Sequence, residues 1–141
     1  MIDHDTQIWI PGNVPSSKNS KKIVMVGPRG HRRPKMLWSD LADRYRARIR
    51  PILIAERYHW ARLTSGITPP VVVGFHFVRN SRRKFDFSNA CQTIADLMVG
   101  ADWLADDNMK EFVPMPLPIE GRWCSYNKEK PGVIIEPLNQ H

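Results

Sequence analysis

Cysteine is scarce in this chain: Cys91 and Cys124 are the only two, too few for a disulfide framework and without the paired spacing of a zinc site. Two reduced, packed thiols are expected. No apolar run approaches the ~20 residues that a membrane span requires, and the opening MIDHDTQIWIPG lacks the basic-then-apolar layout of a signal peptide. A cytoplasmic protein with no membrane contact is the expectation. Internal repeats and low-complexity tracts are missing as well, which argues against solenoid and collagen-like architectures. With 42% hydrophobic and 25% charged residues in a chain of 141, positions 1–141 are expected to fold as a single domain.

Acidic residues are also in short supply, 14 against 21 lysines and arginines, for a net charge of +7. The cations are clustered in sequence. Arg29, His31, Arg32, Arg33 and Lys35 form one group, Arg44, Arg46, Arg48 and Arg50 a second, and Arg79, Arg82, Arg83 and Lys84 a third. The acids gather elsewhere, with Asp86 and Asp96 followed by Asp102, Asp106, Asp107 and Glu111. Basic clusters around an acidic focus suit an enzyme that holds phosphates and a metal ion together.

Residues 7–10 alternate polar and apolar before Pro11-Gly12, the pattern of a short strand running into a turn. A small-residue, basic loop follows, NVPSSKNSKK over 13–22, a composition that admits close approach of a ligand. Residues 23–26 and 34–37 flank Gly27-Pro28-Arg29-Gly30 and predict a hairpin with a basic tip able to touch DNA. Ser39 is placed to cap a helix over 40–63, either bent or divided by Pro51. Its arginines, at every second position, spread around the helix and are expected to be mostly solvated. VVVGFHFV over 71–78 predicts a central strand, with His76 as a core or edge residue. Asp86 predicts the N-cap of a second main helix over 87–99, stopped by Gly100. Residues 111–117, interrupted by Pro114 and Pro116, and 133–136 predict two further strands, the first at an edge. The sum is an α/β domain with a small mixed sheet and two main helices.

The segment RRKFDFSNACQTIADLMVGADWLADDNM, over 82–109, carries the chemistry. Asp86 and Asn89, three positions apart, share one side of the first helical turn. Asp106 and Asp107 follow the helix in a connection long enough to fold back toward it. Mg²⁺ takes hard oxygen ligands and often only one or two protein carboxylates, the rest coming from water and phosphate, so Asp86 and Asp107 suffice for a phosphodiester-cleaving site. Arg82, Arg83 and Lys84 would hold the flanking phosphates, which position a nucleic acid without reading its sequence. Read blandly, the same residues are a helix cap, a turn and a solvated basic run. Phe85 and Phe87 flank Asp86, one expected inside and one facing DNA. Trp9, Trp38, Trp60, Trp103 and Trp123 are expected to pack in the core or an interface, with a base-stacking wedge as the alternative for any one of them.

Taken together, Pro15-Ser16-Ser17-Lys18-Asn19, the basic run into Asp86 and Asn89, Asp96-Leu97-Met98 and Trp103-Leu104-Ala105-Asp106-Asp107 resemble the RusA-type crossover junction endodeoxyribonucleases of phages and prophages. The resemblance implies a RusA-like fold and a homodimer that binds four-way or other branched DNA. It further implies paired, symmetric nicks made with Mg²⁺, Mn²⁺ being able to substitute, in DNA recombination and repair. The family's metal carboxylates fall on Asp86 and Asp107, and its DNA-contacting segments on Ser17, Lys18, Asn19 and Ser20 and on 82–89. The sequence departs from the family pattern twice: Ser88 replaces a second Asp, and Gln92 replaces a lysine. Asn89 as a neutral oxygen donor, Asp106 as an additional acid and Lys18 as a replacement cation are the expected compensations. The other reading these departures allow is a junction-binding protein whose cleavage has weakened.

Overall fold

A computed structural model describes residues 2–15, 21–38 and 40–139; Ser17, Lys18, Asn19, Ser20 and the expected cap Ser39 lie outside them. The strands are β1 (Ile8–Pro11), β2 (Lys21–Val26), β3 (Arg33–Trp38), β4 (Val71–Arg79), β5 (Phe112–Pro116), β6 (Ser125–Tyr126) and β7 (Gly132–Pro137). The helices are α1 (Asp40–Ala55), α2 (Arg57–Leu63) and α3 (Phe87–Gly100). The main sheet runs in the order β1-β7-β4-β5, with β6 also paired to β4. β4 is parallel to β5 and β6 and antiparallel to β7, so the sheet is mixed, and β4–α3–β5 is a crossover unit that carries α3 across it.

Alternation along the strands decides which face is buried. Val73, Phe75 and Phe77 of β4 share a face with Val133 and Ile135 of β7 and Ile8 and Ile10 of β1. Ile49 and Leu53 from α1 and Ala90, Ile94 and Met98 from α3 complete this core. On the opposite face His76 is only 1% exposed. One ring nitrogen is 2.8 Å from the Leu117 carbonyl and the other 2.7 Å from the Ser125 hydroxyl. It is a satisfied core histidine, as expected, and it ties the 117–125 segment to the sheet.

The 23–37 hairpin is present and longer than its apolar ends suggested, with β2 and β3 paired from Lys21↔Trp38 to Val26↔Arg33. Gly27 has φ +111°, and a Cβ there would lie 2.7 Å from the His31 carbonyl oxygen, so the turn requires glycine.

The 40–63 stretch forms two helices, the divided form of the expectation, but the division is not at Pro51. α1 continues through Pro51 because Pro51 and Ala47, the residue whose carbonyl loses its helical donor, are both exposed and water can serve that carbonyl. The break falls instead at Glu56, where the chain turns Trp60 inward. Trp60 stacks on Trp103 at 5.0 Å between ring centroids and donates Nε1–H to the Trp103 carbonyl at 3.0 Å. Trp103 in turn donates to the Leu53 carbonyl at 2.6 Å, so both indole donors are satisfied inside the core.

α3 stops at Gly100 as expected, but glycine does not supply the left-handed turn. Gly100 is its last helical residue, and the left-handed position is Asp102, with φ 62°. Asp102 N–H bonds to the Val99 carbonyl and Trp103 N–H to the Met98 carbonyl, the paired bonds of a Schellman motif. Closure is driven by burying Trp103 rather than by glycine's freedom.

Candidate active site

The first turn of α3 is built by Asp86. Its φ and ψ are extended, and its Oδ1 accepts the Asn89 backbone N–H at 3.2 Å, which satisfies one of the unpaired donors at the helix start. The Asn89 side-chain amide donates to Asp86 Oδ2 at 3.3 Å. The two residues expected to act together are therefore in direct contact. Both flanking phenylalanines pack inward, correcting the expectation that one faces DNA: Phe85 and Phe87 stand edge-on to Phe77 at 5.8 and 5.6 Å. Both packed on the same buried ring, they fix the backbone that presents Asp86.

Asp107 does return to α3. Gln92 donates from Nε2 to Asp107 Oδ2 at 3.1 Å and to Asp96 Oδ1 at 2.9 Å, and Arg46 of α1 lies 3.6 Å from Asp96 Oδ2. A polar chain thus runs Arg46–Asp96–Gln92–Asp107 from one helix across the next to the loop. Arg46 belongs to this chain, against the expectation of a merely solvated arginine. Ser88, Gln92 and Asp107 line a shallow cleft of ≈ 330 Å³ between α3 and β5, with Cys91, Met109 and Phe112 among its walls. Burial pushes the Cys91 thiol up to about 12, so that sulfur is an inert wall.

Asp106 is spent on its own loop. Its Oδ1 accepts the Asp107 N–H at 2.7 Å and its Oδ2 the Asn108 amide at 3.1 Å. These bonds, the Asp107 N–H first, hold its carboxyl below the usual range. Asn108 continues the pattern through its own Oδ1, which accepts the Lys110 N–H at 2.9 Å. The acid beside Asp107 therefore shapes the turn that presents Asp107.

Arg82, Arg83 and Lys84 are exposed on the connection from β4 to α3. Arg82 is held over the Tyr126 ring at 4.6 Å, so its guanidinium is partly preorganised. Arg79, at the end of β4, turns inward: it donates to the Val14 carbonyl and lies 4.8 Å from the Phe85 ring. Burial lowers its pKa, opposed by Cys124. It braces the loop start, and the exposed basic run begins after it.

No group of three or more His, Cys, Asp or Glu side chains among the described residues is arranged to hold a metal ion. Asp86, Asp107, Asn89 and Ser88 each offer the hard oxygen donors that Mg²⁺ takes, and it commonly takes only one or two protein carboxylates, but the cleft lined by Ser88 and Asp107 is not lined by Asp86 or Asn89. The donor chemistry fits Mg²⁺.

Against known proteins, no family model matches the chain and no curated protein matches it. No helix among the described residues is long and apolar enough to cross a membrane.

Sequence reasoning named Gln92 only as the replacement for a family lysine and Arg46 only as a solvated cation; the structure puts both in the polar chain. Gln92 and Asp96 stand four apart on α3, a spacing at which helical side chains meet, and that signal was readable. The reach of Asp107 back to Gln92 spans the whole 101–107 loop and has no local signature.

Proposed function

We propose that this protein is a cytoplasmic, Mg²⁺-dependent endodeoxyribonuclease of RusA type that binds four-way or other branched DNA as a homodimer and hydrolyses phosphodiester bonds in paired, symmetric nicks during recombination and repair. The observation that carries the reading is the convergence on α3: Asp86 caps it, Asp107 is hydrogen-bonded to its Gln92, and the exposed Arg82-Arg83-Lys84 run leads into it. Arg82, Arg83 and Lys84 bind phosphates on either side of the scissile bond. Asn89 orients the Asp86 carboxylate, and Gln92 orients that of Asp107. Asp86 and Asp107 would hold Mg²⁺, with Asn89 as a neutral oxygen donor. Bound there, the ion supplies Lewis acidity at the scissile phosphate. Ser17, Lys18, Asn19 and Ser20, outside the described residues, complete the DNA contact in this proposal, with Lys18 as the extra cation. A two-fold dimer presents two equivalent sites to the two equivalent strands of a junction.

One second reading has an observation of its own. Ser88 and Gln92, where the resembled family has Asp and Lys, both line the cleft with Asp107, which suits a junction binder with weakened cleavage. A single experiment separates the two: cleavage of a synthetic four-way junction with and without Mg²⁺, comparing wild type with Asp86→Asn and Asp107→Asn and using linear duplex as the control. Metal-dependent paired nicks that vanish in both variants, while junction binding persists, support the nuclease. Salt-sensitive junction binding with no nicking in Mg²⁺ or Mn²⁺ refutes it in favour of the binder.

A further inference from the structure

A second cleft lies away from Asp86 and Asp107, where the end of β1, the end of β4 and the turn before β7 meet α1. Its volume is ≈ 540 Å³, and its lining includes Trp9, Asn13, Arg48, Asn80, Glu129 and Lys130. That volume falls within the ~300–1,000 Å³ of ordinary ligand sites, and the walls combine apolar surface from Trp9, Pro11 and Pro131 with polar and charged side chains. Two cations, two side-chain amides and one indole face a single carboxylate.

Three observations show that this surface is built. Gly132 leaves room for Trp9: a Cβ on Gly132 would lie 2.4 Å from Trp9 Cη2 and 2.5 Å from Cζ2, so the indole rests directly on the strand backbone and its place is fixed. The Arg48 guanidinium packs on the loop backbone at Gly12, its Cζ and Nη2 each within ordinary contact distance, 3.6 Å, of where a Cβ would stand. The rim is also tied together, because Asn13 Oδ1 accepts the Asn80 N–H at 3.0 Å and Gly12 N–H bonds to the Pro131 carbonyl at 2.9 Å. Among the described residues, neither Arg48 nor Lys130 is in an ion pair. Asn80 stands two residues before Arg82, so the cleft continues the basic connection that leads into α3.

We infer that this cleft is a second DNA-contact site that receives an unpaired nucleotide, with Arg48 and Lys130 on its phosphates and Trp9 against its base. Cations on the backbone and an aromatic face for the base are the two components by which proteins hold single-stranded nucleic acid. Branched DNA supplies such a nucleotide where strands exchange, and the cleft lies along the phosphate track. The inference rests on the reading of this protein as one that binds DNA; it does not depend on cleavage.

The test is equilibrium binding of a fluorescent oligothymidylate and of an abasic strand of equal length across a salt series, by anisotropy. Wild type is compared with Arg48→Gln, Lys130→Gln and Trp9→Phe, and with Trp9→Leu once its fold is verified by circular dichroism; junction nicking is followed in parallel. Arg48→Gln and Lys130→Gln are expected to lower the slope of log K against log[salt] by about 0.7 each. Trp9→Leu is expected to lower the preference for thymidylate over the abasic strand about fivefold or more, with Trp9→Phe retaining most of it. Wild-type slopes and preference in all four variants overturn the inference while leaving the nuclease reading intact. A wild type that does not nick junctions but loses oligonucleotide binding on Arg48→Gln supports the inference and refutes the nuclease. No DNA binding at all refutes both.

Discussion

Gln92→Glu turns the linking donor of the α3 site into a third carboxylate. In the wild type one amide nitrogen serves Asp96 at 2.9 Å and Asp107 at 3.1 Å; the variant places like charges at about those separations. At 3 Å each unit-charge pair costs about 1.4 kcal/mol even at the dielectric constant of water. Because the site is exposed and the side chains can part, a net cost of about 2 kcal/mol at pH 8 is expected, the two lost hydrogen bonds included. For a domain of this size that is a fall of about 6 °C in Tm. The sign of the pH dependence follows from the repulsion. The penalty is complete where all three acids are ionised and is relieved as acid protonates them, so the deficit shrinks between pH 8 and pH 4. Gln92→Leu removes the donors without adding charge and is expected to cost about 1 kcal/mol with little dependence on pH. Differential scanning fluorimetry of the three proteins across that range, with and without Mg²⁺, is the assay. Divalent cation should recover more of the deficit in Gln92→Glu than in Gln92→Leu. A Gln92→Glu deficit that is absent, or equal at both ends of the pH range, would refute the contact between Gln92 and its two acids.

Two further outcomes follow from packing. Gly132→Ala sets a methyl group 2.5 Å from the Ile10 carbonyl oxygen as well as into the Trp9 ring, and a backbone atom of the paired strand cannot swing aside; a loss of about 3 kcal/mol is expected, read as the urea midpoint, and a wild-type midpoint would contradict the register of β1 on β7. The thiols should separate cleanly with a chromogenic disulfide reagent at pH 8: exposed Cys124 reacts in the native protein, whereas Cys91, pushed up to about 12 by burial, presents about one thiolate in ten thousand and reacts only on unfolding, so two equal native rates would contradict its burial.

What was legible in the sequence was local. The β-branched run over 71–78 is a central strand, the Asp86 cap and the 23–37 hairpin form, and the α/β class with a small mixed sheet holds, because each rests on periodicity or on the chemistry of a single turn. Where helix ends depart from local signals, tryptophans are the cause. Pro51 carries a strong local signal for dividing a helix, yet Trp60 sets the division at Glu56; at Gly100 the helix does stop, but the left-handed residue is Asp102, where the chain turns Trp103 inward. Their common stack joins positions 43 residues apart, a distance no window of sequence spans. At the site, Asp86 with Asn89 was visible because three residues make a helical turn. The grip of Gln92 on Asp107, the turning of both Phe85 and Phe87 onto Phe77, and the capture of Asp106 by its own loop depend on where distant chain segments land.

The prolines of β5 bear on how copies of this protein can meet. The Leu117 N–H bonds inward to the Phe75 carbonyl, so by the two-residue alternation of a strand the amides of 113 and 115 also point inward and positions 112, 114 and 116 point away from the sheet. Two of those three are Pro114 and Pro116, which have no amide to offer. The exposed border of the sheet is therefore almost without donors, and an incoming strand would find acceptors with nothing to complement its own carbonyls. Chains cannot concatenate along that border into a continuous sheet. Self-association at β5 must proceed through side chains, and the sheet ends there as a matter of covalent chemistry.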